Sequence, residues 1–448
     1  MEIVDSYKAR ITNVNSCLNA TINIYRAAVS YLADVINLEW VDFISLTSKE
    51  RVNFVEKLVH KTKENPYPAY VFDIVVPKFP SYLRRSAISD AIGMVSSYHS
   101  NLENYVLERY TAISGGKKFQ KKVPTFQTKH FKCPALYKGN MFNMIDRTHA
   151  EIKVFKNNDW VWLNITLRSQ DIKYIEKHCH GKEFSPILLK KSNNYYLQFS
   201  FKYDVALKKT KLSDKIIVGI DLGLNHSAVC SAINSNGTVI GREFINQPVE
   251  KDRMNHSVNR VCLKQYQSGY GANLVKPWIH INNLKDEITN KTVQGIIDFA
   301  VKYNADVIVF EYLNKFSKIK GKKSKWLRMK LQLWTKIAVQ NKVEHKAHSK
   351  GIRVSKVSAK YTSALAFDGS GKVNRSKKNA SLCTFTTGKQ YNCDLNASYN
   401  IGSRYYIREI LQTLSVKERS EAVAKVPQLL RRTQCTLSTL VSFVSVIA

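Results

Sequence analysis

The sequence predicts a multidomain α+β chain that is helical at its N-terminus, β-rich in the middle and α/β at its C-terminus. Three observations predict it. The 448 residues suffice for about three domains at roughly 150 residues each. Apolar residues recur at helical spacing to about Tyr110, and from Gly115 the period shortens to strand-like runs. From Lys215 onward, almost continuous apolar runs alternate with helical stretches, as expected of buried strands and their crossover helices.

In chain order, Cys17, Leu18, Ile22, Tyr25, Ala28, Leu32, Val35 and Ile36 lie on one helical face. A second helix is expected to open with Ser81 as N-cap after Pro80, with Leu83, Ala87, Ala91 and Val95 facing inward. Residues 1–114 are therefore read as a helical domain, whose first residues could join the next one. Residues 115–210 begin with the basic loop Lys117, Lys118, Lys121 and Lys122. Strands follow at 150–155, 160–167, 186–190 and 195–203, with Asn157-Asn158-Asp159 and Ser192-Asn193-Asn194 as hairpin turns. This pattern suits a small antiparallel sheet or barrel. Residues 211–448 carry strands at 215–222 and 305–310, a helix at 284–303, a basic run at 315–330 and a helix at 326–348.

Lys plus Arg total 69 against 35 Asp plus Glu, a net charge of +34. Such a chain repels itself unless a polyanion neutralises it, which points to nucleic acid or an anionic membrane. No apolar run reaches the length needed to span a bilayer, and the start lacks the pattern of a signal peptide. Eight scattered cysteines with no CxxC pair suit a reducing, intracellular address.

Acidic residues are scarce, so those at the ends of buried strands stand out. Asp221 ends the run Ile216–Ile220, Glu311 ends Val307–Phe310, and Asp394 opens a helix. Singly, each has an ordinary reading as a cap, turn former or surface charge. Converging, three carboxylates would repel unless a cation held them, and hard divalent ions such as Mg²⁺ or Mn²⁺ meet that demand. Two such ions about 4 Å apart suit phosphodiester cleavage. Strand-Asp, strand-Glu, helix-Asp in one α/β region is the order of an RNase H-like nuclease fold.

Val218-Gly219-Ile220-Asp221-Leu222-Gly223-Leu224, Val307-Ile308-Val309-Phe310-Glu311-Tyr312-Leu313 and Asp394-Leu395-Asn396-Ala397-Ser398-Tyr399-Asn400-Ile401 resemble the three RuvC motifs. Lys356–Ser363 is similar to the segment before the family's zinc knuckle. Together they resemble the TnpB (OrfB) nucleases and their relatives, the miniature type V CRISPR effectors. Over residues 1–210 the resemblance is architectural, through Pro80–Leu83 and Val123–Phe126. It implies a helical recognition domain, a β-barrel wedge domain and a RuvC nuclease domain. It also implies an RNA-guided DNA endonuclease of the prokaryotic cytoplasm, associated with the nucleoid. A guide RNA would pair with double-stranded target DNA beside a short duplex motif. Asp221, Glu311 and Asp394 would be both the catalytic residues and the ligands of two Mg²⁺ ions, with Mn²⁺ as the alternative. A guided binder that does not cut and an unguided structure-specific nuclease are the alternatives, and both a monomer and a dimer per guide are open.

The chain departs from the family at the knuckle, at about 362–393. Ala366 and Gly369 stand where the first sulfur pair should be, and only Cys383 and Cys393 lie near the second. Two thiols do not make a four-ligand site, so no zinc is expected. Asp368-Gly369-Ser370-Gly371 predicts a tight turn instead. Cys393 is expected to be a packed residue, and His226 a turn residue or an aid to the metal site. Arg84 and Arg85, by resemblance, would face the guide–target duplex. Lys117, Lys118, Lys121 and Lys122 are candidate phosphate contacts, as are Lys320, Lys322 and Lys323 in the run after Glu311. Trp326 and Trp334 are expected to pack in a core or stack on bases.

Overall fold

The computed structural model describes residues 1–447 except 64, 117, 127–131, 269–272, 314–332, 334, 377, 378 and 380. It divides into two units, Glu2–Tyr203 and Asp204–Ala448, Met1 going with the second. Among the described residues no helix is long and apolar enough to cross a membrane.

The first unit opens with β1 (Glu2–Arg10) and α1 (Ser16–Leu38). The Asn15 side chain caps α1 by accepting from the Cys17 N–H at 3.0 Å. Two short helices, α2 (Trp40–Ile44) and α4 (Phe72–Val75), flank α3 (Ser48–Val59), which carries a Thr47–Glu50 capping box. The long helix α5 (Ser81–Ser114) packs along α1, and Tyr25 donates to Asp90 across the pair at 2.8 Å. Its N-cap is Pro80, so Ser81 is the first helical residue rather than the cap.

The strands of this unit are β2 (Phe142–Met144), β3 (His149–Lys156), β4 (Asp159–Thr166), β5 (Lys182–Glu183), β6 (Ile187–Lys191) and β7 (Asn194–Asp204), with α6 (Ser169–His178) between β4 and β5. Asn157 and Asn158 both have positive φ, 51° and 60°, the two-residue turn that hairpin twist favours. Two sheets form, β1 with β5–β7 and β2–β3–β4. Thr12 N–H to Thr166 and Arg168 N–H to Arg10, at 2.9 and 2.8 Å, join β1 to β4. Leu136 N–H to Pro186 and Leu188 N–H to Pro134, at 2.8 and 3.0 Å, bring the segment before β2 back to β6. In place of a closed barrel, the described residues form two sheets joined at their edges by isolated bridges.

The second unit is built on a five-stranded sheet. Its strands are β8 (Ile217–Asp221), β9 (Ala228–Ile233), β10 (Val239–Ile245), β11 (Val307–Glu311) and β12 (Arg353–Val357). The order is β10-β9-β8-β11-β12, with β9 antiparallel to β8 and β10, and with β11 parallel to β8 and β12. That is the RNase H-like arrangement. Helices α7 (Pro248–Ser268), α8 (Val275–Lys302) and α9 (Lys336–Ser349) connect its strands. Helix α8 begins nine residues before the expected Leu284.

Alternation along the strands explains the continuous apolar runs. Ile217, Val307 and Val309 face one core with α10 (Cys393–Thr413) and α12 (Leu437–Ile447). Val218, Ile220, Ile308 and Phe310 face the other, with α8 and α9. Between α10 and α12 runs α11 (Val416–Lys425). A small insert, β13 (Asn374–Arg375), β14 (Leu382–Thr384) and β15 (Gln390–Asn392), precedes α10. Gly369 and Gly371, at φ 83° and 115°, and the Asp368 carboxylate accepting from Ser370 N–H at 3.0 Å, make the tight turn expected there.

Candidate active site

Asp221 and Glu311 are the last residues of adjacent parallel strands. The register pairs Val307 with Ile217 and Val309 with Gly219, so its continuation sets Glu311 beside Asp221. Helix α10 crosses the sheet next to β8. A Cβ on Gly219 would lie 2.3 Å from the Ser398 carbonyl and 2.8 Å from the Gly402 nitrogen, so only glycine admits that approach. This contact delivers the N-terminus of α10, with Asp394 in its first turn, to the strand ends. Asn392 caps the helix, accepting from the Asp394 and Leu395 N–H groups at 3.0 Å each.

The electrostatics tie the three together. Burial pushes the Asp221 carboxyl well above its ordinary range, and the negative charges of Glu311 and Asp394 push it further. Arg375, on β13, opposes that shift. Burial also raises Glu311, against a hydrogen bond from Thr362 and the positive charge of Arg404. The Thr362 hydroxyl donates to Glu311 Oε1, and Gln340 Nε2 donates to the Glu311 carbonyl at 2.9 Å. His226 Nδ1 stands 3.6 Å from Asp394 Oδ2, buried, without a hydrogen-bond partner, its ring against Phe244.

As they stand, the carboxylates do not chelate: among the described residues no group of three or more His, Cys, Asp or Glu side chains could hold a metal ion. Glu311 is bonded to Thr362. The donor set is nonetheless all carboxylate oxygen, and its negative charge raises Asp221, which is the chemistry that hard divalent cations suit.

A row of residues missed from sequence holds the site's framework. Asn396, Asn400 and Arg404 recur every fourth residue on α10 and are buried. Asn396 accepts from Phe367 N–H at 2.8 Å and donates to the Leu365 carbonyl at 2.8 Å. Asn400 donates to the carbonyls of Thr362 and Leu365 at 2.9 Å each. Arg404 donates to the carbonyls of Ser358, Lys360, Thr433 and Cys435 at 2.6–3.0 Å. Burial lowers its guanidinium to about 10. The available signal was Asn, Asn and Arg at a four-residue period along one face of the helix.

The insert has its own small core of Ala366, Cys383, Phe385 and Cys393, with Phe367 and Tyr391 packed on it. Burial pushes the Cys383 thiol up to about 12, and raises Cys393, as suits packed rather than reactive thiols.

The expected nucleic-acid contacts in the first unit are placed unevenly. Arg84 is buried at 6% exposure, with Nε 3.6 Å from Glu56, so it does not present a free charge at the surface as expected. The reason is its place on the inner face of α5, next to Leu83. Arg85 is exposed, with Nε 3.3 Å from the same carboxylate. Lys118, Lys121 and Lys122 are exposed, and Lys121 pairs with Glu108. Lys117, Lys320, Lys322, Lys323, Trp326 and Trp334 lie outside the described residues.

Residues 338–401 match the model of the Cas12f1-like TNB domain, and residues 5–156 that of the Aq_aa04 family. The TnpB-like protein aq_aa05 of Aquifex aeolicus is 24% identical over 242 residues, 49% of this chain and 78% of that protein. The uncharacterized protein aq_aa04 of the same organism is 32% identical over 133 residues, 27% of this chain and 71% of its own. The CRISPR-associated endodeoxyribonuclease Cas12f1 of Sulfoacidibacillus thermotolerans is 25% identical over 231 residues, 47% of this chain. The chain belongs to the family of TnpB-like proteins and miniature type V effectors. It spans 50% of the length of that Cas12f1 relative. In this TnpB-like chain the matched TNB stretch includes the Asp394 carboxylate and, among the residues that frame the site, Thr362, Arg375, Asn396 and Asn400.

Proposed function

We propose that the chain is an RNA-guided, metal-dependent DNA endonuclease, with Asp221, Glu311 and Asp394 as catalytic and metal-binding residues. The observation that carries this is the mutual electrostatics of the three carboxylates at the sheet end. Burying like charges together costs stability, and function is the usual return on that cost. The name of the Cas12f1 relative supports the reaction class. The net charge of +34 supports a backbone grip on nucleic acid, which is what a protein needs when base pairing reads the sequence.

In this reading the three carboxylates would hold two Mg²⁺ ions, or Mn²⁺. Bound there, the ions supply Lewis acidity for an attacking water and a leaving 3′-oxygen. Thr362 orients Glu311. Asn400 and Arg404 fix the turn that carries Thr362. Arg375 adds a cation beside the carboxylates, suited to a phosphate oxygen. Residues 1–114 would serve as the recognition domain, 115–210 as the wedge domain and 211–448 as the nuclease domain. The partners would be a guide RNA and a double-stranded target beside a short duplex motif, in a prokaryotic cytoplasm.

The test is to express the chain with its native flanking DNA and sequence the RNA that copurifies. One dominant RNA with a constant scaffold and a variable end is expected. Heterogeneous fragments would favour an unguided nuclease. A dominant RNA with no cleavage of matched DNA in Mg²⁺ would favour a guided binder.

A further inference from the structure

The mechanism above leaves one residue beside the carboxylates unused. His226 lies in the turn between β8 and β9. Its Nδ1 stands 3.6 Å from Asp394 Oδ2, is buried and has no hydrogen-bond partner, although the side chain as a whole is 28% exposed. A buried polar atom left unpaired costs stability, so one that faces a carboxylate calls for a cause.

The turn holds the ring there. A Cβ on Gly223 would lie 2.9 Å from the His226 carbonyl and 3.6 Å from Asp394 Oδ2, so glycine lets the turn close this tightly beside α10. Lys251, on α7, donates to the carbonyls of Leu224 and Asn225 at 3.3 and 2.6 Å. The Phe244 ring on β10 packs against the imidazole, with centroids 5.0 Å apart. The orphaned nitrogen is therefore set in place rather than left over from loose packing. A proton on Nδ1 would make it a donor toward Asp394, but 3.6 Å is beyond a hydrogen bond. Without the proton, Nδ1 faces the carboxylate oxygen lone pair to lone pair. A cation between the two resolves that arrangement, and divalent ions with ligand distances of about 2.1 Å join donors about 3–4 Å apart.

We infer that His226 is a nitrogen ligand of the divalent ion held at Asp394, and that it biases this position toward first-row transition ions over Mg²⁺. An all-oxygen site suits Mg²⁺, whereas an imidazole among the donors favours transition ions, Co²⁺ more than Mn²⁺. His226 and Asp394 are two donors and do not make a chelate by themselves, and among the described residues no third side chain completes one as they stand. The inference therefore rests on the nuclease reading for its third donor, Asp221, whose carboxyl feels the Asp394 charge. It goes beyond that reading in the donor type and in the choice of metal.

The test uses the full-length chain with ¹⁵N-labelled histidine and Mn²⁺ as a spin probe. Electron spin-echo spectroscopy is expected to show a ¹⁵N coupling to bound Mn²⁺, which only a histidine can give, since any copurifying RNA remains ¹⁴N. The coupling should vanish in His226→Gln and persist in His256→Gln, a change at an exposed histidine on α7. By calorimetry, His226→Gln should weaken Co²⁺ binding about tenfold or more, Mn²⁺ binding by less, and Mg²⁺ binding by less than about twofold. Melting in EDTA checks that the variant folds, and the coupling in the parent needs no variant. No ¹⁵N coupling in the parent, or equal losses for Co²⁺ and Mg²⁺ in His226→Gln, would overturn the inference and leave the carboxylates alone as the metal site. If the coupling holds and the parent does not cut matched DNA, the nuclease reading fails and the nitrogen ligand stands.

Discussion

Each unit buries an arginine, and the two are used in opposite ways. Arg84, 6% exposed in the first unit, has an Nε without a hydrogen-bond partner, with Glu56, 3.6 Å away, and Asp73 as counter-charges. Arg404, 5% exposed in the second, places its donors on four backbone carbonyls. The first is a charge accommodated by packing. The second is a pin that fixes the turn carrying Thr362 and, through it, Glu311. A buried charge therefore marks function through what it holds, and burial alone says little.

Arg404→Met is expected to have the largest effect on stability. Four carbonyls lose their donor, and about 4 kcal/mol should be lost in denaturant melts. Arg404→Lys should recover part of that loss. A cost near zero would erase the contrast between the two arginines.

Gly219→Ala comes next. The methyl would enter the Ser398 carbonyl at 2.3 Å, so α10 must lift from β8. About 2 kcal/mol is expected from overpacking, together with weaker Mg²⁺ binding by calorimetry, since Asp394 moves with the helix. A silent substitution would mean that this close approach does not position the site.

Arg84→Met sharpens the comparison from the other side. Replacing a poorly paired buried charge by an apolar chain of similar size should change stability by less than about 1 kcal/mol, or raise it. A large loss would give Arg84 the pinning role assigned to Arg404. Asp221→Asn, in EDTA, should raise the melting temperature by a few degrees, because it removes one of three mutually repelling charges. In Mg²⁺ that gain should shrink or reverse.

The smallest effect is expected at Asp146 in the first unit. Hydrogen bonds from the Thr148 and His149 N–H groups hold its carboxyl down to about 2. Its folded-state pKa is below the unfolded value, so its contribution is present above about pH 4 and fades as pH falls toward 2. Acid titration of Asp146→Asn against the parent should show the difference only in that window.

Much of the second unit was legible because its signals are local. Two apolar runs ending in Asp221 and Glu311 encode both strands and the carboxylates, and the Asp394 motif encodes the helix that meets them. The hairpins of the first unit were legible for the same reason, since Asn157-Asn158 carries its turn in two residues. What was not legible depends on contacts distant in sequence. Arg404 reads as a surface charge until Ser358, Lys360, Thr433 and Cys435 come around it. Arg84 reads as a surface charge until the inner face of α5 turns it toward Glu56. Thr362 and Arg375 matter only once the insert folds back over the strand ends.

The most direct test of the central claim is cleavage of a plasmid matched to the copurified RNA, comparing the wild type with Asp221→Ala in Mg²⁺ and in EDTA. Cutting by the wild type in Mg²⁺ alone, with the variant at background but bound to the same RNA and DNA, is the expected result. Equal cutting by the variant, or wild-type cutting that persists in EDTA, would contradict it.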